Sequence, residues 1–162
     1  MAKTPALRNN VTRLLDSRGF PYTAHAYDAE RHSATEVATL LGVEPERVFK
    51  TLVALSEAPR SKPILAVVPG PSELDLKKLA QTVGEKRVRM ATQREAEQLT
   101  GLQVGGISAL ALLHKGFRVL LDEAAHNHAQ ILVSGGQRGL NIELPVEAFV
   151  ALTGAQWADL TV

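Results

Sequence analysis

Apolar and polar residues alternate through "RVFKTLVAL" (47–55). Phe49, Thr51, Val53 and Leu55 fall on one side of an extended chain, and Val48, Lys50, Leu52 and Ala54 on the other. Both sides are mostly apolar, which predicts a strand covered on both faces, with a lysine in its middle. "PILAVVPG" (63–70) predicts a second buried strand and "YTAHAY" (22–27) a short one. "KRVRM" (86–90), with basic residues alternating outward, predicts an edge strand. "FRVLLD" and "QILVS" follow, and "GGQRG" turns the second of these back into "LNIEL" as a hairpin.

Helical spacing takes over between these runs. Thr4 and Pro5 read as an N-cap and first helical position, followed by Leu7, Val11, Leu14, Leu15 and Arg18, with Gly19 as the stop. "SATE" (33–36) is a capping box that opens a helix through Leu41, and Gly42 lies past its end. Residues 72–83 place Leu76, Leu79, Ala80 and Val83 on one stripe. Thr92 and Glu95 form another capping box, for a helix ending near Gly101, and Pro145 opens a last helix closed by Gly154. No regular βαβ rhythm appears. The pattern predicts one α+β domain over residues 1–162, with a mixed sheet and packed helices.

Composition narrows the function. The chain has 162 residues, 45% hydrophobic and 22% charged, which suits an ordinary globular domain. Eighteen basic against 17 acidic residues leave a net charge of +1, so no global field favours nucleic acid. RNA contact would need a local patch or a partner protein. Cysteine is absent, which excludes disulfides, thiolate-ligated zinc and a cysteine nucleophile. There is no apolar run of signal-peptide or membrane-spanning type, so a soluble, cytoplasmic protein is expected.

Few residues stand out as chemical. Lys50 either packs its stem and lifts its ammonium to the sheet edge, or sits in a cleft and holds an anion or developing oxyanion. The glycines of "VGGIS" (104–108) make a tight connection or let a ligand approach the backbone, and they fit neither a P-loop nor GxGxxG. In "VSGGQRGLNIEL" (133–144), Ser134 can place a hydroxyl at a cleft mouth, and Arg138 is a solvated turn charge or a phosphate contact. The five histidines show neither HxxxH nor HExxH spacing, and "HNH" (126–128) is a chance match. No metal or other cofactor is expected. Lys77, Lys78, Lys86, Arg87 and Arg89 form a modest basic stretch, which is a solvated face or an RNA footprint.

Taken in order, "VFKTLV", "ELDLKKLAQTVG", "TGLQVGGISAL" and "VSGGQRGLNIEL" resemble the free-standing aminoacyl-tRNA deacylases of the YbaK type. These are related to the editing domain inserted in many bacterial prolyl-tRNA synthetases, and the resemblance runs from about Thr4 to Thr161. It implies a mostly antiparallel, partly barrel-like mixed sheet with packed helices, and hydrolysis of misacylated tRNA(Pro), above all Cys-tRNA(Pro). Ala-tRNA(Pro), a broader set of misacylated tRNAs, or a non-catalytic binding module are the alternatives. The family's catalytic positions fall on Lys50, Gly105 and Gly106. Its substrate-binding positions fall on Tyr27, Thr51, Ser108, Ser134, Gly135, Gly136, Arg138 and Asn141. The resemblance further implies substrate-assisted chemistry, in which the cysteinyl thiol attacks its own ester. The partners it implies are the tRNA(Pro) acceptor end and prolyl-tRNA synthetase, with no DNA and no membrane. His32 and Ser33 stand where relatives can carry a pocket aromatic, and Asn141 where an aspartate also occurs; both bear on amino-acid preference.

Overall fold

The computed structural model describes residues 8–162. The Thr4–Pro5 cap and Leu7 lie outside the described residues. Helix α1 (Asn10–Arg18) is capped instead by Asn9, whose side chain accepts from the Val11 and Thr12 amides. In chain order the other elements are β1 (Thr23–Ala26), α2 (Ala34–Leu41), β2 (Phe49–Ser56), β3 (Ile64–Pro69), α3 (Leu76–Val83) and β4 (Val88–Met90). Then come α4 (Gln93–Thr100), β5 (Arg118–Asp122), β6 (Gln130–Ser134), β7 (Leu140–Pro145), α5 (Val146–Thr153) and β8 (Gln156–Ala158).

The local signals act as the patterning predicts. Ser33 and Thr92 close reciprocal capping boxes with Glu36 and Glu95, and Gly42 and Gly101 end those helices in left-handed conformations. The third helix starts later than its apolar stripe implies. Asp75 accepts from the Lys77 and Lys78 amides and so fixes the first turn there, leaving 72–74 outside the helix. Strand β8 was not anticipated, because three residues beside Gly154 carry too short a pattern to register.

The strands form two sheets, one ordered β1-β7-β6 and one ordered β4-β2-β3-β5-β8. Pairings are antiparallel except β3–β5 and β5–β8, which run parallel. Among the described residues one bridge, Val48–Leu132, ties the sheets at a corner, so the assembly curls toward a barrel without closing. "KRVRM" becomes β4, at an edge of the larger sheet.

Alternation along β2 and β3 explains the two main cores. Phe49, Val53, Leu65 and Val67 face the smaller sheet and pack with Ile131, Val133, Leu140, Ile142 and Phe149. Ala54, Ile64, Ala66 and Val68 face α3 and meet Leu79, Ala80 and Val83. A third cluster, Val37, Ala38, Val48 and Leu132, seats α2 over the corner between the sheets. Burying each large aliphatic side chain contributes about 1.5–3 kcal/mol, so this double-sided burial holds β2 rigidly in place. Among the described residues, no helix is long and apolar enough to cross a membrane.

Candidate functional site

Beside the Val48–Leu132 corner the sheets diverge, and a cavity of about 560 Å³ opens between α2, β2, α4 and the 104–107 loop. That volume suits a small molecule or the terminal group of a larger one. Its apolar wall comes from Val37, Phe49, Val53, Ala96, Val104 and Ile107. Its polar lining includes Tyr27, Lys50, Thr51, Ser134 and Asn141.

Lys50 stands at the N-terminal end of β2, in register with Val68. Neighbouring side chains leave it half-buried, and its Nζ donates to the Gly70 carbonyl at 3.1 Å. Burial pushes the ammonium below its ordinary value, while the more distant Glu73 pulls weakly the other way. One carbonyl occupies one of three N–H donors, so the ammonium keeps capacity for an anion.

Asn141, on β7, lines the same cavity. The residue is only 5% exposed. Its Nδ2 donates to the Tyr27 hydroxyl at 3.1 Å, while Oδ1 is buried without a hydrogen-bond partner among the described residues. Turning the amide over would exchange the roles and still leave one polar atom unmatched. Such an atom costs about 1–3 kcal/mol, a penalty that a bound donor would remove. Burial raises the Tyr27 hydroxyl's pKa, and the Asn141 hydrogen bond opposes the rise.

The glycine loops divide their work. Gly105 lines the cavity with φ +98, a conformation that favours glycine. Gly106 lies outside the lining: a Cβ there would come within 2.7 Å of the Gln137 carbonyl carbon, so its bareness lets two loops touch. In the hairpin, Ser134 reaches the cavity, and its Oγ accepts from the Gly136 amide at 3.3 Å. Gly135 and Gly136 stand behind that surface, where a Cβ on Gly135 would strike Leu140 at 2.6 Å. Asn9 holds this turn through a 2.8 Å bond from Nδ2 to the Gly135 carbonyl, a tether that reaches across 126 residues of chain.

Two further sequence candidates sit off the cavity wall. Ser108 is fully buried, and its hydroxyl accepts from the Leu110 amide at 3.1 Å to cap a 3-10 turn. Arg138 lies beside the loop, its Nε donating to the Val104 carbonyl at 2.8 Å. Sequence reasoning did not single out Arg31, Met90 or Gln93, which also line the cavity. Nothing in their local pattern marks them, since they converge only when the β1–α2 and β4–α4 connections fold together. His126 of "HNH" stacks on Trp157 with ring centroids 3.6 Å apart, a packing role. Within the basic stretch, Lys78 pairs with Asp159 and Arg89 with Glu95.

His32 lines the cavity, but its Nε2 is bound to Asp28 at 2.8 Å, and the Ser33 hydroxyl beside it caps α2. Among the described residues, no group of three or more His, Asp or Glu could hold a metal ion. What the cavity offers is the Lys50 and Arg31 cations, the hydroxyls of Tyr27, Thr51 and Ser134, an unmatched amide atom and a bare backbone, groups able to orient and polarise a bound polar ligand.

Comparison with known proteins gives the class to which this fold belongs. The profile described as "aminoacyl-tRNA editing domain" matches residues 28–152. The chain belongs to that family, and with it to the class of aminoacyl-tRNA deacylases. EbsC of Enterococcus faecalis, proposed by its name to be a Cys-tRNA(Pro)/Cys-tRNA(Cys) deacylase, is 40% identical over 156 residues, which span 95% of this chain and 93% of that one. The proline–tRNA ligase of Thermodesulfovibrio yellowstonii is 28% identical over 148 residues, covering 90% of this chain and 24% of the ligase. A crystal structure described as a proposed trans-editing enzyme for prolyl-tRNA synthetase superposes with a TM-score of 0.81 at 30% identity, covering 99% of both chains. The family resemblance read from the four motifs is thereby borne out.

Proposed function

We propose that this protein is a free-standing editing hydrolase that clears amino acids wrongly esterified to tRNA(Pro), with Cys-tRNA(Pro) as its principal substrate. In this reading residues 1–162 act as one cytoplasmic editing domain. The observation that carries it is Lys50: a half-buried ammonium, inside a mostly apolar cavity, held by a single carbonyl among the described residues. A pocket built for proline cannot strongly reject near-isosteric amino acids, so a second site of this kind is what accuracy requires.

The chemistry suits a cavity with no cysteine of its own. The substrate thiol, giving up its proton, attacks its own ester carbonyl, and the carbonyl oxygen gains negative charge beside the Lys50 ammonium. Collapse expels the ribose oxygen, which takes up a proton, and leaves a cyclic thiolactone that water opens to free cysteine. Atoms balance without a cofactor. The protein's part is to fold the aminoacyl group into the attacking geometry, with Gly105 allowing close approach and Thr51 and Ser134 supplying hydroxyls. The unmatched atom of Asn141, with Tyr27 beside it, would take a polar group of the aminoacyl moiety. Prolyl-tRNA synthetase is the proposed source of tRNA selection, because a net charge of +1 gives little grip on tRNA at large.

The test is deacylation of Cys-tRNA(Pro), Ala-tRNA(Pro) and Pro-tRNA(Pro) by the protein and its Lys50→Ala variant, with and without the synthetase. Rapid loss of cysteine alone, abolished in the variant, is expected. A preference for alanine would keep the hydrolase and reject thiol assistance. Survival of all three esters would overturn the enzymatic reading.

A further inference from the structure

Three chain segments distant in sequence meet at the mouth of the cavity: the β1–α2 connection, the 104–106 loop and the β6–β7 turn. Two of them bring an arginine. Arg31 is exposed and lines the cavity, and among the described residues its guanidinium makes one long hydrogen bond, to Gln93 Oε1 at 3.4 Å. Arg138 is half-buried, and the bond from its Nε to the Val104 carbonyl fixes the stem while its terminal nitrogens have no hydrogen-bond partner among the described residues. Both side chains crowd the same bare backbone. A methyl group on Gly105 would meet Arg138 Nε at 3.3 Å and Arg31 Cγ at 3.6 Å.

Three nearby carboxylates are engaged elsewhere, and Glu30, next to Arg31 in the chain, makes no ion pair with either arginine among the described residues. Asp28 binds His32 at 2.8 Å, Glu36 accepts from the Ser33 amide at 2.7 Å, and Glu97 accepts from the Val104 amide at 2.8 Å. Among the described residues, neither arginine has an ion-pair partner, whereas Arg47 and Arg89 each have one. The Arg138 guanidinium and the Arg31 stem meet at one glycine, so two cations without an ion-pair partner stand at one rim, where an anion is favoured. Their planar donor forks match phosphate oxygens in particular.

We propose that Arg31 and Arg138 form a phosphodiester clamp at the cavity mouth, gripping the last backbone phosphate of an RNA 3′ end whose acyl group lies inside. The proposal rests on the hydrolase reading above and deepens it. In an aminoacylated RNA the ester and the last phosphodiester hang on one ribose, so a cavity that takes the ester brings that phosphate to its rim. The clamp serves the phosphate and leaves the Lys50 ammonium to the ester. Both arginines are positioning residues. Gly105 stays bare because any side chain there would push them apart.

The experiment compares Arg31→Gln, Arg138→Gln and Arg31→Lys with the unaltered protein on two substrates. One is a cysteinylated CCA-ended RNA minihelix; the other is cysteinyl-adenosine, which has no phosphate. Each Gln variant should lower the ratio of kcat/KM for minihelix over cysteinyl-adenosine about tenfold, mainly through KM, and Arg31→Lys should recover part of the loss. The salt dependence of minihelix KM should flatten by about 0.7 in log–log slope per cation removed. A ratio and slope unchanged in both Gln variants would overturn the clamp. If the unaltered protein cleaved neither ester, the hydrolase reading would fail. The clamp would then be judged by fluorescence anisotropy with a labelled CCA trinucleotide. Affinity that falls in the Gln variants, with a shallower salt slope, sustains the clamp; equal affinity overturns it.

Discussion

Two lysines on neighbouring elements show how differently this molecule treats its polar groups. At the closure made by α3, β5 and the C-terminal residues, Lys78 Nζ donates to Asp159 at 3.0 Å and to the Thr161 carbonyl at 2.7 Å, and the Asp159 carboxylate raises its pKa. Beneath it Asp122, 2% exposed, accepts the amides of Leu160 at 2.8 Å and Ala124 at 3.0 Å. At the cavity, Lys50 has one carbonyl and a lowered pKa, and Asn141 keeps a polar atom unmatched. The closure uses its polar groups to hold the chain. The cavity leaves its own groups in deficit, and a deficit maintained by rigid surroundings is what a ligand can relieve.

Exchanging the roles of the two regions tests that contrast. Lys50→Ala should have the largest effect: kcat/KM for the misacylated tRNA falls about 100-fold or more, while the denaturant midpoint stays the same or rises. A midpoint that fell as far as activity would make Lys50 a structural residue and erase the contrast. Asp122→Ala should do the reverse. It strands two buried amides and costs about 3 kcal/mol by urea unfolding, with KM little changed in protein that remains folded. Asn141→Leu is more delicate. It removes the unmatched atom at similar volume, so stability should stay within about 1 kcal/mol while deacylation drops about tenfold.

The smallest effect is electrostatic and lies at the surface. Arg89 and the helix-capping amide of Thr92 hold Glu95 down to about 2. Because this folded-state value is below the ordinary carboxylate value of 4.5, the contribution to stability is complete above 4.5 and is lost as pH falls through about 2. The pair lies at the surface, with the Glu95 side chain 34% exposed, so Arg89→Gln should flatten acid unfolding only slightly over that window. Lys50 behaves in the opposite sense. Its folded-state value lies below the ordinary lysine value, so its charge opposes folding near neutrality and that penalty fades as pH rises through the folded-state value. Catalysis that needs the ammonium should therefore fail on the alkaline side earlier than an ordinary lysine would allow, as a pH profile of kcat/KM corrected for spontaneous ester hydrolysis would show.

Much of this was legible along the chain. Alternation placed β2 and β3 and showed both of their faces to be buried. Serine, threonine and glycine punctuation placed α2 to the residue and the start of α4, because capping is a local contest among neighbouring amides. Lys50 stood out because a charge on an apolar strand is an anomaly that sequence alone reveals. Other features rest on contacts between distant segments and leave no local trace. The 135–137 turn is held by Asn9 from across the chain, and β8 exists because β5 offers it an edge.

The candidate site divides along the same line. The sequence by itself determined the residue types on offer: one lysine in a buried strand, paired glycines, a serine at a hairpin, and no thiol. Tertiary structure decided which of them share a space. It turned Ser108 inward to cap a 3-10 turn, put Gly106 into the contact between two loops, and brought Arg31 to Arg138 across 107 positions of chain. Periodicity and capping act over a few residues, whereas a cavity is made where sheets diverge, and that divergence is set by the packing of segments that are remote in the chain.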